Sequence, residues 1–578
     1  MMTVSEYIFD FLQQKGCQTV YMVSGSSAMW LTDALKRNEK LQAVCCQHEQ
    51  AAAMAADGVG RMTGAPGVAL VTIGPGATNA VTGVAGAFVD SSPMIVLSGQ
   101  ISSPIYRYQK ESRIRQKGTQ SLMLENMTAD ITKYFAVILD EKDVRYHLER
   151  AYYEATHGRK GPVWLDVPID VQNKKVPDVM EGFSAPEEKA PRTPIPEEEI
   201  AELLKNARKP LILAGYGVLS SHAKDDLRQF AEKYEIPVVT SRGGIGAMAS
   251  DHPLFIGRPG SYGDRASHFA IADCDLLFIL GSRLAMSTVG YYPQRFAPKA
   301  TKVMVDIDEK ELGKGDVPVD IAIRADLQDF FRVLRHIAVQ AADHGAWLRQ
   351  CRGNKAKYPV VLPEYAEEEG INSYFFTAQL SDKAPDKAAV VVDTGSVCNV
   401  VSQAWQLKEG QTFTISGGLS CMGFWASAIG VAACAQEVVA LAGDGSTQMN
   451  IQELATLAYY RLPIKLFVYN NHGYMLIRHN QHNYMNDRFL GVGPDSGVPA
   501  VDFCKVAGAY GLSGVKIETK EEIAERLDEV FAMEGPVVCE VMVQEFGIMA
   551  PRIASRVMPD GSLKAAEFED LWPFLDKT

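Results

Sequence analysis

The chain has 578 residues, 47% hydrophobic and 22% charged, with a formal net charge of -13. That is material for about three to four domains, each with its own core. The negative balance excludes a protein built on neutralising nucleic-acid phosphates, although a basic stretch such as "RYQKESRIRQK" could be a solvated face or could serve a small anion.

The opening "MMTVSEYIFDFLQQKG" reads as an amphipathic helix with Ser5 near its start. It lacks the basic, apolar and small-residue succession of a signal peptide. The ten cysteines are scattered, without CxxC pairs or zinc spacing, as expected of reduced thiols in a cytoplasmic protein. Residues 68–89 are the most apolar long stretch, but the break Gly74-Pro75-Gly76 makes them a strand, turn and helix, so no membrane span is expected.

Short apolar runs recur along the chain. "TVYMVSG", "GVALVTIG", "MIVLSGQ" and "PVWLDVP" come first, then "PLILAGYG", "IPVVTS", "DLLFILGS" and "TKVMVDID". "AAVVVDTG", "VVALAGDG", "IKLFVYNN" and "PVVCEVMV" follow. Continuous apolar runs separated by helix-like segments predict parallel sheets covered on both faces. The Pro/Glu/Lys-rich residues 173–198 and the weaker boundary over 350–370 divide them. The expected class is α/β, with three doubly wound, mainly parallel domains over 1–172, 191–345 and 370–550 and a C-terminal tail, 551–578. Ligands in such folds sit beyond the carboxyl ends of the strands.

Asp444, between Gly443 and Gly445, ends one such run, and Asn470-Asn471 end the next; 24 residues separate Gly445 from Asn470. A helix over "TQMNIQELATLAYYRL" with a turn at Pro463 would bring both ends to one sheet edge. Mg²⁺ seeks hard oxygen ligands, and the Asp444 carboxylate, the Asn471 side-chain carbonyl and the Gly473 main-chain carbonyl could supply them. Gly445 and Ser446 would open a helix whose amides favour a diphosphate. A lone Asp-Gly is more often only a turn.

GDG followed at this spacing by NN resembles the thiamine diphosphate (ThDP) enzymes, and "HEQ" at 48–50 with "GPGATN" at 74–79 resembles their acetolactate synthase-like branch. The resemblance covers nearly the whole chain and implies aminopyrimidine-binding, middle and diphosphate-binding domains, in that order. It implies that Glu49, otherwise a first-turn residue complementing a helix dipole, hydrogen-bonds N1′ of the aminopyrimidine ring. Met422, otherwise a core methionine, would wedge between the cofactor's rings, and the Ser420 carbonyl, where the family often has Gly, would accept from N4′. Gly25 would line the site, with Ser24 where the family commonly has Pro. Because family members build each site from the first domain of one subunit and the third of another, the resemblance implies a homodimer or homotetramer.

The resemblance also bears on the reaction. Residues 99–134 contain no histidine, whereas decarboxylases resembling pyruvate decarboxylase carry a His pair there. With Gln120 in a "GTQ" context, this favours decarboxylation of a 2-oxo acid, pyruvate being the expected donor, with ligation to a carbonyl acceptor. His472, His479 and His482 leave another proton relay open. The resemblance allows FAD in the middle domain, with Gly215, Gly217, Arg242, Gly260, Ser282, Arg283, Asp306 and Asp308 as candidate contacts, although the dinucleotide glycine fingerprint is absent. The stretch after the NN strand and the ending "PDGSLKAAEFEDLWPFL" resemble synthase-like proteins of surface-polysaccharide systems, some of which transfer acetyl units to keto-sugar nucleotides. A non-ligating decarboxylase or lyase, and a catalytically silent regulatory paralogue, are the alternatives.

Overall fold

The computed structural model describes residues 2–186, 193–337, 339–557 and 563–575. Part of the expected first linker, the expected start of the middle domain at 191 and part of the "PDGSLKAAEFEDLWPFL" ending lie outside the described residues. Three six-stranded parallel sheets form the frame, and the α/β, doubly wound architecture expected from the apolar runs is the observed one.

The first sheet contains β1 (Thr19–Met22), β2 (Gln42–Cys45), β3 (Gly67–Val71), β4 (Met94–Gln100), β5 (Tyr134–Val137) and β6 (Pro162–Pro168), in the order β2-β1-β3-β4-β6-β5. The second contains β7 (Pro210–Ala214), β8 (Val238–Thr240), β9 (Phe255–Gly257), β10 (Leu276–Leu280), β11 (Thr301–Asp306) and β12 (Ile321–Arg324), ordered β12-β11-β10-β7-β8-β9. The third contains β13 (Ala389–Val392), β14 (Thr412–Ile415), β15 (Val438–Gly443), β16 (Ile464–Asn470), β17 (Ser513–Ile517) and β18 (Val537–Met542). Its order, β14-β13-β15-β16-β18-β17, repeats that of the first. A parallel sheet that winds both ways from its centre leaves a crevice where the strand order reverses. Those points are β1/β3, β7/β10 and β13/β15.

Both faces of each sheet are buried. In β3, Val68 and Leu70 enter one core while Ala69 and Val71 enter another, the period-2 alternation of a strand. The second of these cores is continuous with the third sheet. It joins Tyr21, Ala69 and Val96 to Val391, Ala440 and Val468 through Trp425 and the alanines of the helix Glu49–Thr63. That helix approaches its neighbour with almost no side chain between them: a Cβ on Gly58 would lie 2.4 Å from the Ser427 carbonyl oxygen, and one on Gly430 1.8 Å from that of Ala55.

The helix expected over 447–462 is interrupted. A helix over Asp444–Gln448 ends, the chain turns through Asn450 at φ 73°, and a single turn Ile451–Glu453 precedes the helix Leu454–Tyr460. Tertiary contacts break it: Trp425 Nε1 donates to the Met449 carbonyl at 3.1 Å, and Asn450 Nδ2 to the Gly423 carbonyl at 3.1 Å. Toward the C-terminus, β19 (Ser555–Val557) and β20 (Leu563–Ala565) pair antiparallel. The segment beyond returns to the second sheet's core, where the Phe568 ring stacks on His268. No helix among the described residues is long and apolar enough to cross a membrane.

Candidate active site

Each switch point carries one cluster of the residues singled out in the sequence. At β1/β3, Glu49 opens its helix, capped by His48, whose Nδ1 accepts the Gln50 N–H at 3.1 Å. The Glu49 carboxylate is buried, with Asn79 Nδ2 donating to Oε2 at 2.9 Å. Gly76 makes room for it: a Cβ there would sit 3.1 Å from Glu49 Oε1 and 2.6 Å from Thr72 Cγ2. Gly25 is equally constrained, because a Cβ would fall 2.4 Å from Thr72 Cβ. Gln120 joins the cluster through its backbone, its carbonyl closing on Gly74 (φ 61°), while its side chain is exposed. Gly25, Gly76 and Glu49 thus meet around Thr72, with Gln120 against the neighbouring Gly74.

At the third sheet's switch point, β15 and β16 are neighbours in register, Gly443 against Tyr469, so Asp444 and Asn471 leave adjacent strand ends. Gly473 donates its N–H to Asp444 Oδ2 at 2.6 Å. Burial raises the Asp444 carboxyl to about 6, against the opposing pull of the Gly445 and Gly473 amides. Asn471 Oδ1 is buried and has no hydrogen-bond partner. A desolvated carboxylate beside an orphaned amide oxygen is an all-oxygen donor set suited to a hard divalent cation. Arg478 shapes the turn, donating to the carbonyls of Asn471 at 3.1 Å and His472 at 2.7 Å. Gly473 (φ 139°) has no space for a side chain, since a Cβ would lie 2.1 Å from the Val492 oxygen.

The two glycines of GDG differ. Gly445 lies under the Tyr474 ring, with 2.1 Å from its would-be Cβ to Cε1. Gly443 has φ -76° and a nearest contact of 3.7 Å to Val397 Cγ2. Gly445 is therefore glycine because an aromatic ring packs on it, and Gly443 has no steric requirement of this kind. Ser446 bonds the buried Asp393 carboxyl, which also accepts N–H groups from Thr394 and Trp425 and is pushed up by burial to about 7. Ser420 adopts φ 52°, the left-handed region, and is exposed, while Met422 is half-buried on the same loop. The loop is held by Asp90, whose carboxylate accepts the N–H groups of Gly417 (2.9 Å) and Gly418 (2.8 Å). Arg61 reinforces it, bridging Asp57 and Asp90 and donating to the Ile415 carbonyl at 2.8 Å.

Within the chain, the third sheet's helices reach the first sheet. The Tyr460 hydroxyl accepts the Cys45 N–H at 2.8 Å, and Glu453 accepts the N–H groups of Gln47 and His48. No hydrogen bond or ion pair among the described residues joins Glu49 to Asp444. His472 pairs with Glu545, and His482 with Asp487; burial lowers His479.

The second sheet's switch point opens into a cavity of about 460 Å³, bordered by Gly217, Arg242, Ser282, Arg283 and Asp306, within the usual size range of ligand sites. Arg242 donates to Asn399 Oδ1 at 2.9 Å and Arg283 to the Val89 carbonyl at 2.7 Å. Burial pushes Asp306 up to about 6. Gly260 does not border the cavity: it is buried beneath the Ser287 carbonyl, 2.5 Å from its would-be Cβ, and its N–H is directed at His268. Gly215 is also set by packing, 2.2 Å from the Gly281 oxygen, and Asp308 is engaged by Arg159 at 3.0 Å.

Three segments match descriptions of one family. Residues 2–127 match "Thiamine pyrophosphate enzyme, N-terminal TPP binding domain", 198–334 the central domain, and 393–541 the "C-terminal TPP binding domain". The chain belongs to the thiamine pyrophosphate enzymes. It is 34% identical to "Acetolactate synthase large subunit" of Parasynechococcus marenigrum (strain WH8102), over 93% of this chain and 87% of that protein. It is 32% identical to "Acetolactate synthase large subunit" of Lactococcus lactis subsp. lactis (strain IL1403), over 96% and 95%. For "Acetolactate synthase isozyme 1 large subunit" of Escherichia coli (strain K12) the identity is 30%, over 94% of each. This thiamine pyrophosphate enzyme is accordingly an acetolactate synthase-like ThDP-dependent carboligase. Sequence reasoning missed Asp90, Arg61, Asp393 and Glu453, each of which has a partner remote in the chain: Gly417, the Ile415 carbonyl, Trp425 and Gln47 respectively. Asn79 was within reach, being the last residue of the quoted GPGATN.

Proposed function

We propose that the enzyme decarboxylates pyruvate and joins the two-carbon unit to a second carbonyl compound, with ThDP and Mg²⁺ held between two copies of the chain. The observation that carries the metal reading is Asn471 Oδ1, buried without a partner beside the desolvated Asp444 carboxylate. Asp444, Asn471 and the Gly473 carbonyl would ligate Mg²⁺, with Gly443, Gly445 and Ser446 around the diphosphate. When bound, ThDP supplies the electron sink for loss of CO₂ and carries the two-carbon unit to the acceptor.

Glu49, from the first domain (1–172) of one subunit, would hold and return a proton at N1′ of bound ThDP, while the third domain (370–550) of the other would supply the metal half. Its burial and its single side-chain donor, Asn79, leave Oε1 available beside Gly76. The Ser420 carbonyl and Met422 would hold the aminopyrimidine ring, and Gly25 and Gln120 would border the substrate side. The cavity of the middle domain (191–345) suits FAD, with Arg242, Arg283 and Asp306 as polar contacts; Gly260 would act only through packing.

The purified chain, incubated with Mg²⁺, ThDP and a panel of 2-oxo acids, aldehydes and keto-sugar nucleotides, should give acetolactate or another ligated ketone from pyruvate by mass spectrometry. Acetaldehyde as the sole product would overturn carboligation. A flavin absorbance band is expected, and a protein that cannot be reconstituted with FAD would remove that cofactor.

A further inference from the structure

We propose that Glu453 is a positioning residue for the reaction, holding the backbone that presents Glu49. Glu453 is fully buried at the end of the turn Ile451–Glu453, and its carboxylate faces the other cofactor half. Oε1 accepts the N–H of Gln47 at 2.9 Å and of His48 at 2.9 Å. Oε2 lies 3.2 Å from the Gln47 nitrogen and accepts the Thr456 hydroxyl at 2.7 Å. Gln47 and His48 form the end of the connection from β2 to the Glu49 helix, and His48 is that helix's cap.

β2 lies at the edge of its sheet, so its outward N–H groups have no neighbouring strand. Gln47 and His48 follow β2 on that open side, and Glu453 supplies the acceptors for their N–H groups. A carboxyl group is suited to this task because one group with two oxygens can accept several bonds at once. The same short segment also holds the Met422 loop, through Asn450 Nδ2 to the Gly423 carbonyl and Trp425 Nε1 to the Met449 carbonyl. One turn of chain thus fixes both the wedge loop and the base of the proton-relay helix. Thr456 keeps the Glu453 side chain in the rotamer that does so.

The inference rests on the reading that Glu49 exchanges a proton with the cofactor. The test is the rate of hydrogen–deuterium exchange at the thiazolium C2 of ThDP bound to full-length enzyme, by acid quench and NMR, alongside ThDP affinity by fluorescence. Glu453→Met keeps the size and removes the acceptor. It should slow exchange about 10- to 100-fold, the scale of a misplacement of about 1 Å, with ThDP affinity within about threefold. Glu453→Gln retains an acceptor oxygen and should restore exchange to within about threefold of the parent. Tyr460→Phe, which loosens the same helix from Cys45 but not from Gln47 or His48, should stay within about twofold; these tolerances are order-of-magnitude settings on the same scale.

Exchange unchanged in Glu453→Met, or equally slowed in Tyr460→Phe, overturns the proposal. If Glu453→Met does not fold, Thr456→Val decides, with slowing of about threefold expected on that scale and none overturning it. Glu49→Gln runs in parallel. Unchanged exchange there removes the relay reading and this proposal with it, whereas slowed exchange there with a normal Glu453→Met removes this proposal alone.

Discussion

Gly473 donates its backbone N–H to Asp444 across 2.6 Å, tying the turn after β16 to the end of β15. One carboxylate oxygen is thereby engaged by the protein, and the group is set beside the partnerless oxygen of Asn471. Asp444→Asn keeps the acceptor for Gly473 but removes the charge. It should raise the Mg²⁺ concentration needed for half-saturation with ThDP by more than the roughly 10–100-fold lost when groups that merely orient ligands are changed. Intrinsic fluorescence titration measures it; an unchanged midpoint would contradict the assignment.

The two glycines beside Asp444 should respond differently. Gly445→Ala forces a methyl into the Tyr474 ring and should prevent ThDP loading or destabilise the turn. Gly443→Ala meets only ordinary van der Waals distances within the protein and should keep the melting temperature of the parent. Equal behaviour of the two variants would count against this packing.

Arg61 should be a stability residue. Its guanidinium is the buried partner of both Asp57 and Asp90. Arg61→Met leaves the buried Asp57 carboxylate without its cation, while Asp90 keeps Arg283 at 3.6 Å and the Gly417 and Gly418 N–H groups, at a cost of about 3–5 kcal/mol. A melting temperature close to that of the parent would refute it.

Acid should favour the first domain through Asp166. It is fully buried, accepts from Ser98 and Gln100, and is pushed up by burial to about 6 from 3.8. Its folded value lies above its unfolded one, so the unfolded chain releases the proton first and stability falls as pH rises from about 4 to about 6. The effect is about 3 kcal/mol for a shift of this size. Asp166→Asn should shrink the difference in melting temperature between pH 5 and pH 7.5, and an unchanged difference would exclude the effect.

How much of this was legible follows from where the apolar residues lie. The twelve runs picked out in the sequence became the four inner strands of each of the three sheets. The six edge strands, β2, β5, β9, β12, β14 and β17, lie outside those runs. Inner strands are buried on both faces and are apolar along most of their length. Edge strands such as β17 have exposed positions and lack that pattern. Glu49, Asp444 and Asn471 could be found because strand ends carry the chemistry of such folds. Asp90 and Glu453 could not, because each acts on backbone N–H groups hundreds of residues away, and a main-chain donor leaves no mark on the residue that bears it. The break at Asn450 was hidden for the same reason, being imposed by Trp425 and Gly423.

The close approach of the Glu49 helix to Ser427 and Gly430 has a dynamic consequence. Where alanine and glycine bring backbone against backbone, no flexible side chain can absorb a relative displacement of the helices. Opening this seam requires separating both cofactor halves together, a cooperative event of high free energy. The amides of residues 51–57 should therefore be among the slowest in the chain to exchange with deuterated solvent, while those of the exposed Leu419 and Ser420 exchange early. The Glu49 helix would act as a fixed axle, with motion during turnover confined to the loops around it.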